Sequence, residues 1–532
     1  MRRTTLFLLL VASVIAKVLC SSAGAFDDNA HEALSLRATR VSTLDNFLKS
    51  VLPFEFFNGR EEIVFNGLTV ERLINQGAFD EDRPILWRPR HHFHNPRLAW
   101  GEAGWRPPPF SIQLGDSSVK WSQNENQTVG GKHSWKDARD SYFQALTATT
   151  DSERKRLYAE TFKSLGHLIH LVQDAAVPSH TRNDTHLNYK GIGDPDSFHG
   201  WAELATGMIA NSSPLFNSSL LNQSAPNAIA PVPISRIIDS TDGDIGTLAL
   251  SPGLNIGIAE YSSANFFSDD TINSPNFQSP LSSQVEARAP EHDATRAKLR
   301  RYEYFRPGFG EQDYPLALAS AMRPYVIDPL AIPTENGLDD KVFQGYGAKL
   351  FPRAIGYSAG LIDYFFRAQV DTADPPLGYV LVPWEARPSS IDVQGVKVIG
   401  DGQQTGNGTI QMVLLHENSF LGLRNPPTSP GPKPLVVVSQ EVPFTISSQG
   451  QTVTFPFAAL PWPTEVIPAL CCYGNGYMGI IVYRGTLGQE TNTAVVAGGY
   501  CHDLESGDKW ERFYSFENAT LDGIAWAYIG EC

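Results

Sequence analysis

Residues 165–180 read LGHLIHLVQDAAVPSH, and residues 198–204 read FHGWAEL. Together they hold His170, Asp174, His180, His199 and Glu203. Residues four apart on a helix stand one above the other on the same face, so His170 with Asp174, and His199 with Glu203, each set an imidazole beside a carboxylate. Imidazole nitrogens and carboxylate oxygens are ligands for a divalent metal ion, and the spacing predicts such a site. Pro178 cannot continue a helix, which puts the end of the first helix near Ala176 and leaves His180 on a turn beside that face. A single His-x-x-x-Asp pair is more often a surface ion pair than a ligand pair, so the weight lies on the joint order of all five residues.

Working upstream, SERKRLYAETFKSLGHLIHLVQDA carries apolar residues at Leu157, Phe162, Leu165, Leu168, Ile169 and Val172, a helical stripe expected to face the core. A second helix is predicted from SWKDARDSYFQALTAT, with Ser134 at its N-cap and Asp137 three residues on. HEALSLRATRVSTL, opened by His31, and STLDNFLKSVL are helical in period, and LTVERLINQGA reads as a short amphipathic helix stopped by Gly77. The stretch DEDRPILWRPRHHFHNP is a loop rich in ligand types, with Asp80, Asp82, His91, His92 and His94. Downstream, residues 211–290 form a region rich in Ser, Asn and Pro, interrupted by the helix-like NIGIAEYSSANFFSDD. AKLFPRAIGYSAGLIDYFFRAQ then closes the helical part near residue 370.

After Thr372 the period changes from helical to alternating. YVLVPW, VKVIG, TIQMVLL, LVVVS, FTISS, TVTFPF, MGIIVYRG and TAVVAGGY are β-branched runs set off by Gly, Pro or Asn, the pattern of a β-sandwich. The expected organisation is a leader over 1–25, a helical domain over 26–370 and a β-rich domain over 376–532, since 532 residues exceed what one core usually organises.

The first 25 residues pair Arg2 and Arg3 with an apolar run from Leu6 to Ala16 and small residues at Ala23-Gly24-Ala25, which predicts a secretory signal and Phe26 as the mature N-terminus. Of five cysteines, Cys20 would leave with the leader, and Cys471, Cys472, Cys501 and Cys532 crowd the C-terminal end. In an exported chain, secreted or periplasmic, that even number predicts two disulfides, each of the adjacent pair bonding one of the other two. The formal charge of −15 becomes −18 without Arg2, Arg3 and Lys17. So acidic a chain does not bind nucleic acid through counterion release, though metal ions could still hold a phosphate.

Ten of the thirteen histidines precede residue 200. Their order, with an N-terminal aromatic, a nearby His, a G-x-x-x-x-D loop (Gly77 to Asp82), an H-F-x-N-P loop (His92 to Pro96), H-x-x-x-D-x-x-x-x-x-H and H-x-x-x-E, resembles the zinc-dependent phospholipase C family and its relatives, the single-strand-specific zinc nucleases. The resemblance implies a mainly α-helical phospholipase C-like domain followed by the β-sandwich, and three zinc ions. By that resemblance Asp82, His92, His170 and Asp174 hold one ion. Asp174 bridges to a second held by His31 and by the amino group and carbonyl of Phe26, and His180, His199 and Glu203 hold the third. His186 competes for the third place, and His199 is preferred because Glu203 lies one turn beyond it. The family usually begins with Trp, so Phe26 keeps the ring and loses the indole donor.

The implied chemistry is attack of a zinc-activated hydroxide on phosphorus, with Asp82 as a further candidate for the catalytic base. The first expectation is a phospholipase C that releases diacylglycerol and a phosphorylated head group, its β domain making peripheral contact with the membrane. The alternatives are a zinc nuclease or nucleotidase of the same fold, and a secreted binding protein with structural zinc. The nucleases tend to carry Asp where Glu203 stands, which favours the lipid reading. Phe93, Trp100, Trp105, Phe110, Tyr261, Phe266 and Phe267 are aromatics available to either substrate.

Overall fold

The computed structural model describes residues 28–184, 197–205, 234–243, 256–305, 314–319, 337–372, 379–383, 389–400, 405–416, 436–458 and 474–499, apart from 53, 54, 57, 85, 86, 108–111, 273, 275, 278, 279, 281–284 and 294–297. The expected leader, Phe26, His186, Phe110, the four C-terminal cysteines and most of the Ser/Asn/Pro-rich region lie outside these residues. The chain divides into two compact units. One comprises Met1–Ser42, Ile74–Trp135 and Lys163–Ile362; the other comprises Thr43–Leu73, Lys136–Phe162 and Asp363–Cys532. No helix among the described residues is long and apolar enough to cross a membrane.

The first unit is mainly helical, with two small antiparallel sheets built from Val285–Ala287, Tyr302–Phe305 and Pro315–Leu318 and from Glu291–Asp293 and Lys298–Arg300. The helix Asp151–Asp174 supplies its central element, and from Lys163 onward almost every side chain is buried, including His167, His170, Gln173 and Asp174. The apolar stripe read from the sequence is core, and the polar face is buried as well. A helix buried all round must find partners for its polar residues from other elements.

One of those elements is the helix Val70–Asp80. Gly77 does not end it; the helix runs three residues further, to Asp80. The glycine serves packing instead. A Cβ on Gly77 would lie 2.0 Å from the Lys163 carbonyl oxygen, and one on Gly166 would lie 2.1 Å from that of Ile74. Two helix backbones meet here with nothing between them, and Asp82, two residues past the helix end, is carried alongside His170. Helix Asp28–Val41 lies against Ser197–Leu204 and carries His31 into the same place. After Asp174 the chain turns and restarts at Pro178 as the one-turn helix Pro178–Thr181, with proline at the first position where its missing N–H costs nothing. His180 lies on that turn of helix.

In the second unit each β-branched run of the sequence is a strand. Gly406–His416 and Gly474–Leu487 pair antiparallel at the centre of a six-stranded sheet, and Ser390–Gly400 lies between Gln451–Pro456 and Ala368–Asp371 in a three-stranded one. Val393, Val398, Phe455, Met412, Ile481 and Val496, drawn from both sheets, share one apolar core, which makes the pair a sandwich. The closing helix is Asp340–Phe365, so Ala368 and Gln369, expected at its end, are strand. Burial there alternates at period two, and Asp371 pairs across the strands with Lys397 at 3.1 Å. This unit also holds a buried charge triad. Glu490 accepts two hydrogen bonds from Arg139, both 2.9 Å, and lies 2.8 Å from Arg367.

The Gly77–Gly166 contact yields a test. Gly166→Ala should force the two helices apart and lower stability by about 1–3 kcal/mol, the usual cost of overpacking, in chemical unfolding of the purified chain. An unchanged unfolding midpoint would mean that the close approach does not hold the helices together.

Candidate metal centre

Five of the residues expected as ligands meet in the first unit. Asp174 turns Oδ2 toward His92 Nδ1 at 2.7 Å and His170 Nε2 at 3.2 Å, and turns Oδ1 toward His31 Nε2 at 3.2 Å. Asp82 approaches His92 Nδ1 at 3.4 Å and His170 Nε2 at 3.7 Å. The rings of His31 and His170 stack with centroids 3.7 Å apart. Two groups have the spacing of a metal site: His31, Asp82 and His170, and His92, His170 and Asp174, with ligand atoms within 4.8 Å of one another.

The donor atoms fit a cation better than they fit each other. Asp82 Oδ1, His92 Nδ1, His170 Nε2 and both oxygens of Asp174 are buried, and apart from their approaches to one another and to His31 they have no hydrogen-bond partner in the protein. Buried polar atoms are ordinarily bonded, so orphans crowded at this distance need a further partner. Two donors on one tetrahedral ion, each about 2.1 Å from it, stand about 3.4 Å apart. The observed separations bracket that value.

Neighbours outside the candidate ligand set fix which nitrogen His31 and His170 offer. His31 Nδ1 lies 2.7 Å from Gln173 Oε1, and Gln173 in turn donates to Ser35 Oγ at 2.9 Å. His170 Nδ1 lies 2.6 Å from the carbonyl oxygen of Ala78. Each hydrogen bond puts the ring proton on Nδ1 and leaves Nε2 to face Asp174. Gln173 and Ala78 were not singled out by the sequence. Their partners lie 142 and 92 residues away in the chain, a relation that local periodicity does not carry.

The electrostatics follow from burial and crowding. Burial alone would raise Asp174, yet His170 and His92 beside it hold it well below the ordinary carboxylate value. Burial would lower His92, yet Asp174 raises it to about 10. His170 is also raised, against burial, by Asp174 and Asp82. For Asp82 burial wins and its pKa is raised, with Asp174 adding repulsion. Next to it, Glu81 stays well below its usual value, because Arg88 and His167 outweigh its burial.

The remaining expected residues are placed as follows. His180 is fully buried; its ring stacks on Phe93 at 4.4 Å and lies 6.4 Å from that of His92. His199 and Glu203 lie on the helix Ser197–Leu204, and their side chains are outside the described set. The other acidic and histidine residues of the 80–94 loop are engaged elsewhere. Asp80 pairs with Lys163 at 3.0 Å, His91 stacks on Trp121 at 4.0 Å, and His94 Nε2 lies 2.9 Å from Asp239. Phe93, Trp105, Tyr261, Phe266 and Phe267 are buried core, while Trp100 is half-buried.

An imidazole must shed its proton before it can ligate, so raised histidine pKa values put protons in direct competition with a metal. With His92 near 10, metal uptake at pH 7.5 should release protons, and affinity should fall as pH falls. Calorimetric titration with zinc in buffers of different ionisation enthalpy measures this. Heat independent of buffer would show that the imidazoles are already neutral.

Neither a protein-family model nor a curated protein matches the chain. Among solved structures, "Alpha Toxin from Clostridium Absonum" aligns over 90% of this chain and 99% of its own at 10% identity, with a TM-score of 0.29. An alpha-toxin of Clostridium perfringens, from an avian strain, aligns over 90% and 98% at 9% identity and a TM-score of 0.22. Likeness at this level says nothing about chemistry.

Proposed function

We propose that the chain is an exported zinc-dependent phosphodiester hydrolase that acts on phospholipid as a phospholipase C. The observation that carries this reading is the carboxylate of Asp174, whose two oxygens face different histidines, Oδ1 toward His31 and Oδ2 toward His92 and His170. A carboxylate so placed suits a bridge between two ions. The ligand assignment follows the motif order: Asp82, His92, His170 and Asp174 for one zinc; Asp174, His31 and Phe26 for the second; His180, His199 and Glu203 for the third.

Zinc in these places would supply Lewis acidity for the phosphoryl oxygen and lower the pKa of a water molecule. The chain's own groups do the rest. His31 and His170 are held with Nε2 inward by Gln173 and Ala78, so the donor set is preorganised. Asp82 has 10% of its side chain exposed where Asp174, His92 and His170 have none. It is therefore the carboxylate of the cluster that solvent reaches, which makes it the candidate proton acceptor among them.

Two observations favour lipid over nucleotide. The net charge repels a polyanion, and of the aromatics considered for base stacking, five lie in the core. Zinc content of the leader-cleaved protein, followed by assays on phosphatidylcholine and single-stranded nucleic acid with and without chelator, tests the proposal. At least two zinc ions per chain and chelator-sensitive release of diacylglycerol are expected. His170→Ala should lose metal and turnover together, while His292→Ala, at an exposed position, should lose neither. Fewer than two ions would end the multinuclear reading, and hydrolysis of nucleic acid alone would replace the substrate.

A further inference from the structure

We propose that Glu81 is the positioning residue for His92, the carboxylate that receives the His92 Nε2 proton and thereby presents Nδ1 to the metal; the inference rests on the zinc reading above. His31 and His170 have their non-ligating nitrogens tied by Gln173 and by the Ala78 carbonyl. His92 has no such bond. Its Nδ1 faces Asp174 and Asp82, and its Nε2 points the other way, 3.6 Å from Glu81 Oε1. A histidine that ligates through Nδ1 carries its proton on Nε2, and that proton is directed at the Glu81 carboxylate. At 3.6 Å the contact is longer than a hydrogen bond. A cation at Nδ1 makes the Nε2 proton more acidic and draws the pair together.

Glu81 is built to be an immovable acceptor. It is fully buried. Oε1 takes a hydrogen bond from Trp121 Nε1 at 2.9 Å, and Oε2 takes them from Arg88, with Nε at 3.0 Å, and from His167 Nδ1 at 2.5 Å. Each of these partners is itself held. Arg88 donates to the carbonyl oxygens of Val129 and Gly131, and His167 stacks on His133 at 3.7 Å, whose Nδ1 meets Ser164 Oγ at 3.0 Å. So a network of several buried polar residues ends on the carboxylate that faces one metal ligand.

The experiment is a double-mutant cycle on the full chain, read as zinc affinity by competition with a chromophoric chelator rather than as activity. Glu81→Gln should weaken zinc binding about 10–100-fold, the usual effect of losing a partner behind a ligand. In a His92→Ala background the same substitution should change affinity by less than about twofold, because the ring through which it acts is gone. A merely structural role would weaken binding equally in both backgrounds and would overturn the proposal, as would a Glu81→Gln protein that binds zinc like the parent. Should Glu81→Gln fail to fold, Glu81→Asp keeps the charge opposite Arg88, shortens the reach toward His92 and is read by the same criteria. Failure of the parent chain itself to bind zinc would overturn the zinc reading and this inference together, whereas zinc binding indifferent to Glu81 would overturn this inference alone.

Discussion

Asp174 is an anion with no exposure to water, and the candidate metal centre depends on how its charge is met. A carboxylate in that position is costly unless cations or strong donors surround it. His31, His92 and His170 provide the surround, and the pKa values of His92 and His170 rise to supply positive charge. Replacing those protons by divalent ions satisfies the same demand with atoms already in place. The burial, the orphaned nitrogens and the paired geometry all follow from one buried charge.

The helices exist in the arrangement that this charge needs. Gly77 and Gly166 let the Val70–Asp80 helix lie directly on the Asp151–Asp174 helix, which sets the Ala78 carbonyl against His170 Nδ1 and brings Glu81 and Asp82 to the site. The same backbone contact therefore orients one candidate ligand, delivers a second and places the Glu81 carboxylate behind a third. A larger residue at either glycine would disturb all three at once.

Periodicity made part of this legible. His170 and Asp174 share a helix face by spacing alone, and the alternating runs after residue 376 are strands in a sandwich. The gathering of His31, Asp82 and His92 around that face was expected only because the order of motifs resembles a known family, since no local pattern joins residues so far apart. Gly77 was misread because glycine both ends helices and allows close approach, and sequence does not say which. Ala368 was carried into the helix before it because its alternation with Val370 is too short to break a helical pattern. Glu81 sits unmarked between two other acidic residues, and Gln173 looks like ordinary helix surface. Both are defined by what they touch, which only the folded chain shows.

The most direct measurement is anomalous scattering at the zinc edge from crystals of the protein beginning at Phe26. The account predicts two peaks on opposite sides of the Asp174 carboxylate, each about 2.0–2.2 Å from one of its oxygens, with His31 on one side and His92 on the other. A single peak, or none within reach of both oxygens, would contradict the bridging role on which the proposed hydrolase rests.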